Sequence, residues 1–147
     1  MKVLVLTLLC VLMTVNEAKV LKRCELARDL KQHGLEGFRR YSLDNWVCMA
    51  YYVSKFNTKA VGPPNPDGSR DYGIFQISSR WWCSDGQGIT TNGCKMNCKA
   101  FLNDNINDAI ECAKRVVGAA IGMNNWELWR KHCKGRNLSS WTRGCNL

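Results

Sequence analysis

Histidine and proline are scarce in this chain of 147 residues, with 2 His and 3 Pro. The two histidines, His33 and His132, stand alone in the sequence, and no CxxC spacing occurs, so a zinc site has little support. Each histidine reads as a surface or packing residue. No apolar run reaches the roughly 20 residues that a membrane-spanning helix needs. Acidic residues are in deficit, with 12 Asp+Glu against 21 Lys+Arg, and the net charge is +9. That charge directs attention to anionic partners such as bacterial envelopes, membranes, nucleic acid or acidic glycans, and is silent about fold. Internal repeats and low-complexity segments are absent, and with 46% hydrophobic and 22% charged residues the chain is neither a disordered tail, a collagen nor a coiled coil. Its length is that of one domain.

Cysteine, by contrast, is abundant. Nine cysteines are too many for a reducing compartment unless they bind metal. Lys2, the short apolar run over 3–15 and the small residue Ala18 together read as a secretory signal peptide over 1–18, with the domain over 19–147. Its removal takes away Lys2 and Glu17, one charge of each sign, so the charge stays +9. It also takes away Cys10 and leaves eight cysteines, an even number that implies four disulfides in a secreted, extracellular protein. Parity alone leaves 105 pairings open.

Apolar periodicity predicts helices over 24–35, 43–55, 105–117 and 125–132, the second capped by Ser42 or Asp44. All three prolines fall within 61–69, a stretch of turn chemistry. A strand is expected over 71–77, as part of a small hairpin sheet, and a Gly- and Cys-rich loop over 84–97. The class is α+β, with a small antiparallel sheet inserted between the second and third helices. Trp46 and Trp129 read as core.

Several segments are recognisable: Cys-Glu-Leu-Ala (24–27), Tyr-Ser-Leu-Asp-Asn-Trp-Val-Cys (41–48), Asp-Gly-Ser-Arg-Asp-Tyr-Gly-Ile-Phe-Gln-Ile (67–77), Ser-Arg-Trp-Trp-Cys (79–83), Cys-Ala-Lys-Arg-Val-Val (112–117) and Trp-Thr-Arg-Gly-Cys (141–145). The chain resembles the C-type lysozymes of the lysozyme/α-lactalbumin superfamily over all of 19–147. The resemblance implies the C-type lysozyme fold and pairing of Cys24 with Cys145, Cys48 with Cys133, Cys83 with Cys98 and Cys94 with Cys112. It also implies a cleft for β-1,4-linked, N-acetylglucosamine-containing polymers such as peptidoglycan or chitin-like oligosaccharides.

Lysozyme is itself the type case of glycoside hydrolysis by two carboxyl groups, one protonated and one ionised. The resemblance places Asp71 on the ionised nucleophile or stabiliser. Position 53 falls on the protonated acid, with no gap needed between Cys48 and Asn57, and there the chain has Val53. The other glutamates of 19–147 are Glu25, Glu36, Glu111 and Glu127, and the motif pattern delivers none of them into the cleft. A general acid contributes about 10²–10⁴-fold, or about 3–5 kcal/mol of barrier. Val53 then marks a protein that has dropped hydrolysis and packs its helix, unless a water or neighbouring group replaces the acid.

Trp81, Trp82 and Trp126 match the family's sugar-stacking tryptophans, whose flat faces suit sugars and whose N–H can donate to a sugar oxygen. Asn65 and Gln76 match polar cleft positions. Ser78, Ala119 and Ile121 depart from the pattern, the first where an asparagine commonly supports the aspartate, the others where polar residues often line the upper cleft. The loop that holds Ca²⁺ in some superfamily members carries Asn103, Asn105, Asp108 and Ala109 here, two carboxylates short, so no metal and no other cofactor is expected. Asn137-Leu-Ser is an N-glycosylation sequon.

The expected function is a basic, secreted, lysozyme-like protein that binds N-acetylglucosamine-containing glycans with hydrolysis lost or strongly reduced, acting as a monomer at an anionic bacterial surface. An active muramidase is the first alternative. A cationic, membrane-active antimicrobial protein is the second, on the patches Arg39-Arg40, Arg130-Lys131 and Lys134-Gly-Arg136. A regulator like α-lactalbumin is disfavoured by the basic charge, and specific nucleic-acid binding lacks a motif.

Overall fold

The computed structural model describes residues 19–147, so the expected signal peptide and Cys10 lie outside the described residues. Helix α1, Arg23–Gln32, buries Leu26, Ala27 and Leu30 along one face. It ends three residues before the predicted point, because Gly34 turns left-handed (φ 81°) and the Leu35 N–H reaches back to the Leu30 carbonyl at 3.1 Å. Helix α2, Leu43–Ser54, packs between α1 and the C-terminal helix and buries Leu43, Trp46, Val47, Cys48, Met49 and Ala50. Such burial on most sides makes it the central helix. Neither Ser42 nor Asp44 caps it through a side chain, contrary to expectation. The Leu43 N–H goes instead to the Glu36 carboxylate at 3.3 Å, and Asp44 accepts a 2.6 Å bond from the Thr142 hydroxyl.

The strand predicted over 71–77 is two short strands. β1, Asp71–Tyr72, pairs antiparallel with β2, Ile77–Ser78, in the register Asp71 opposite Ser78 and Tyr72 opposite Ile77. The chain turns between them because Gly73 (φ 79°) and Gln76 (φ 49°) are left-handed, and the Gln76 N–H donates to the Gly73 carbonyl at 3.0 Å. At Gly73 a side chain would collide with the Phe101 carbonyl oxygen, so the position requires glycine. The turn drives Ile74 and Phe75, both fully buried, into the core beneath the sheet.

The loop over 84–97 is closed at its base by a bridge between Ser84 and Asn97 and by the neighbouring Cys83–Cys98 disulfide. Tyr72 secures it to β1 through a 2.8 Å hydroxyl bond to Asp85. Helix α3, Asn107–Val117, starts later than predicted, with Asn105 Oδ1 accepting from the Asn107 N–H at 2.9 Å. Helix α4 is confined to Glu127–His132, because Gly122–Asn125 forms a separate 3₁₀ turn. Among the described residues four disulfides join Cys24–Cys145, Cys48–Cys133, Cys83–Cys98 and Cys94–Cys112, the pairing that the resemblance implies. The architecture is the expected α+β one, helices around a small two-stranded sheet. Trp46 and Trp129 are core, and the Trp129 indole N–H donates to Asn45 at 3.0 Å.

Candidate functional site

A cleft of about 540 Å³ opens between the helices and the sheet. Val53, the penultimate residue of α2, lines one side, and Asp71, the first residue of β1, the other. The end of α2 is fixed against the sheet side by Ser54, whose hydroxyl lies 2.9 Å from the Ala50 carbonyl and 2.7 Å from that of Ile74. Both Val53 and Asp71 are half-buried.

Burial pushes the Asp71 carboxyl above its ordinary range, a hydrogen bond from the Asn65 side chain opposes that shift, and nearby Asp67 reinforces it. Asn65 does not line the cleft. Its amide also donates to the Ser69 hydroxyl at 3.1 Å, so it stands behind Asp71 and positions it. Gln76 lines the cleft, but its amide nitrogen is committed to the Ala60 and Gly73 carbonyls at 3.1 Å each. Ser78 lines it too, with its hydroxyl accepting from the Arg80 N–H at 3.1 Å.

The three tryptophans meet in this cleft with unequal exposure. Trp81 is 53% exposed, and the Arg80 guanidinium lies 4.1 Å from its ring centroid. Trp82 is half-buried over Gly93, where a Cβ would come within 2.8 Å of the indole. Trp126 is only 6% exposed. Its indole N–H donates to the Phe75 carbonyl at 2.8 Å, and its ring meets Trp46 edge-on. Trp126 therefore walls the cleft from the core, and its N–H is spent on the protein rather than free for a sugar.

Sequence reasoning missed one carboxylate. Glu127, at the start of α4, lines the cleft, contrary to the expectation that no other glutamate reaches it. Its side chain is 66% exposed and ion-paired with Lys131 at 3.2 Å. The i,i+4 spacing to Lys131 is readable in the sequence, but the 3₁₀ turn that swings Glu127 to the rim is not. Ile121, 55% exposed, lines the cleft as an apolar residue, whereas Ala119 lies in an adjoining groove.

In the loop compared with the superfamily's calcium site, Asn105 Oδ1 accepts from the Asn107 N–H, the Asn103 amide donates to the Ala100 carbonyl at 3.4 Å, and Ala109 is buried. Of the histidines, His33 Nδ1 sits 2.8 Å from the Asp29 carbonyl oxygen, and His132 stacks on Tyr52 with centroids 4.2 Å apart. Asn137 is exposed.

A family model described as C-type lysozyme/alpha-lactalbumin matches residues 19–145. Lysozyme C of Dromaius novaehollandiae is 52% identical over 139 residues, covering 94% of each chain. Sperm acrosome-associated protein 5 of Bos taurus is 48% identical over 142 residues, covering 96% of this chain and 90% of that one. The crystal structure of recombinant wild-type canine milk lysozyme (apo-type) superposes with a TM-score of 0.85 at 53% identity, covering 88% of this chain and all of the other. With matches of that extent to both sequence and fold, the chain belongs to the C-type lysozyme/alpha-lactalbumin family.

Proposed function

We propose that this protein is a secreted, lysozyme-like binder of N-acetylglucosamine-containing glycans in which hydrolysis is lost or strongly reduced. The observation that carries the reading is the pairing of Val53 with Asp71 across one cleft. Asp71 can carry the negative charge that stabilises a sugar cation, and Val53, at the position where the family resemblance calls for an acid, has no proton to give. Among the described residues the one other carboxylate lining the cleft, Glu127, is largely solvated and ion-paired with Lys131, not enclosed against an apolar wall. Without a protonated group the departing sugar oxygen leaves as an alkoxide, and the reaction forfeits about 10²–10⁴-fold.

Binding survives that loss. The exposed face of Trp81, the half-buried Trp82 and the wall of Trp126 make a platform for the CH-rich faces of sugars. The +9 charge favours approach to anionic bacterial walls, and the leader over 1–18 directs secretion. The names of the relatives favour a second reading, an active muramidase, since several are called lysozyme C.

Clearing of bacterial wall suspensions, measured beside retention on chitin, separates the two. Retention without clearing at ordinary lysozyme concentrations supports the binder, and ordinary clearing overturns it. Replacing Trp82 by Ala should weaken chitooligosaccharide binding about 5- to 150-fold, the worth of one stacked ring at about 1–3 kcal/mol by analogy with base stacking. Unchanged affinity in calorimetry would place the binding site elsewhere.

A further inference from the structure

Three basic side chains far apart in the sequence meet in one groove. Arg39 from the 3₁₀ turn Phe38–Arg40, Arg130 from α4 and Lys134 just beyond it line an open channel of about 800 Å³. Among the described residues, no aspartate or glutamate lines it. The ion pairs among the described residues engage His33, Lys114 and Lys131, and none takes any of these three cations.

The groove is held in shape by its floor. At Gly122 (φ 57°) a side chain would collide with the Tyr41 hydroxyl, which accepts the Met123 N–H at 3.0 Å. Position 122 therefore requires glycine. The Arg39 guanidinium rests over Gly118, where a Cβ would stand 3.4 Å from Nη2. Lys134 is directed inward by a 2.7 Å bond from its ammonium to Asn124 Oδ1. Asn124 and Ile121 line both this groove and the cleft, so the positively charged groove directly adjoins the cleft.

We propose that this groove binds the carboxylate or sulfate groups of an acidic polysaccharide whose N-acetylhexosamine units lie in the cleft. The proposal rests on the glycan-binding reading of the cleft and names the class of glycan. A concave groove that adjoins the cleft admits a polymer strand, whereas a membrane is too broad and flat to enter it. A single-stranded nucleic acid needs aromatic faces for its bases. The groove has only Tyr41, bound through its hydroxyl and packed against Trp129 at 5.7 Å. The charge that the sequence spreads over separate basic patches thus acquires a place and a direction.

The test measures binding of chitohexaose, a hyaluronan hexasaccharide carrying carboxylates and a chondroitin sulfate hexasaccharide carrying both anions, by calorimetry at low and high salt. The groove variant is Arg39→Gln/Arg130→Gln/Lys134→Gln. The control is Lys19→Gln/Lys31→Gln/Lys99→Gln, which removes the same charge from exposed positions outside both cleft and groove. At low salt at least one acidic hexasaccharide should bind about tenfold or more tighter than chitohexaose, and salt should shrink that margin. The groove variant should lose the margin while holding chitohexaose within about twofold, and the control should keep both. Sulfate dependence or carboxylate sufficiency then follows from which hexasaccharide responds.

The proposal is overturned if acidic and neutral sugars bind alike at low salt, or if groove variant and control lose equally. It is overturned as well if anionic phospholipid vesicles or a single-stranded oligonucleotide show the groove dependence and the sugars do not. Failure of the underlying reading looks different: chitohexaose then fails to bind the wild type, while acidic sugars still bind and still depend on the groove.

Discussion

At the scale of single residues the cleft sets one carboxylate, Asp71, across from one valine, Val53. Asp71 is partly desolvated and braced by Asn65, a costly placement that a surface aspartate does not need. Val53 sits across the same cleft, where Trp126 supplies an apolar wall. A glutamate in place of Val53 would be partly desolvated and so held protonated toward neutral pH. Val53→Glu is therefore expected to raise the initial rate of wall clearing about 10²–10⁴-fold, with Val53→Gln as the polar control without an acid. Recovery should stop short of a full lysozyme rate, because the Ser78 hydroxyl serves Arg80 and Ile121 offers sugar no hydrogen bond. Equal inactivity of all three proteins, with folding and sugar binding intact, would show that the acid is not the limiting defect. Asp71 and the Trp81–Trp82 pair were legible in the sequence because each lies inside a contiguous motif, and Val53 because a count without gaps leads to it from Cys48. The spent N–H of Trp126 was not, since its acceptor Phe75 is 51 residues away, nor was the placement of Glu127 on the cleft.

At the scale of elements, the helices were readable because their apolar residues recur at helical spacing, and they err only at their ends, where 3₁₀ turns and left-handed residues intervene. The sheet was misjudged as one strand because Ile74 and Phe75 look like strand residues, yet they plug the core from a turn. Gly73 controls that turn. Gly73→Ala should cost about 2–3 kcal/mol in urea unfolding, from positive φ and collision with the Phe101 carbonyl, and should also disturb neighbouring Asp71. A loss below about 0.5 kcal/mol would mean that the turn yields easily. A second tether, Tyr72 to Asp85, holds the loop over 84–97 to the sheet. Burial, the hydrogen bond to Asp85 and its charge push the Tyr72 phenol up to about 12 from 10.0. Its folded value is raised, so the stabilising contribution is intact below pH 10 and is lost as pH rises through about 12. Spectrophotometric titration should show one late tyrosine that returns toward 10 in Asp85→Ala, and stability should fall across that window less steeply in Tyr72→Phe. A wild-type phenol titrating near 10 would mean that the tether does not hold in solution.

At the scale of the whole molecule, four disulfides among the described residues and one apolar core hold helices and sheet together, and Cys94–Cys112 ties the loop over 84–97 directly to α3. Cys83–Cys98 closes that loop over a separation of 15 residues, whereas Cys24–Cys145 ties the start of the domain to its end over 121. In the chain-entropy account a bridge of the first kind contributes about 3 kcal/mol and one of the second about 5, by constraining the unfolded chain. Their removal should therefore separate stability from function. Cys24→Ala/Cys145→Ala should give the larger loss in denaturant unfolding, by about 2 kcal/mol, while chitohexaose affinity at low temperature stays within about twofold, because neither residue nears the cleft. Cys83→Ala/Cys98→Ala should unfold more easily than wild type by the smaller amount, yet lose more affinity. Cys83 follows Trp82 directly, and the loop it closes supplies Gly93, on which the Trp82 indole rests. Free-thiol titration under denaturing conditions, on the chain lacking 1–18, should read zero in wild type and in both variants, confirming that each substitution removes one bridge and leaves the others paired. The reverse order of affinity losses would show that the sugar platform is held by the core rather than by the disulfide beside it.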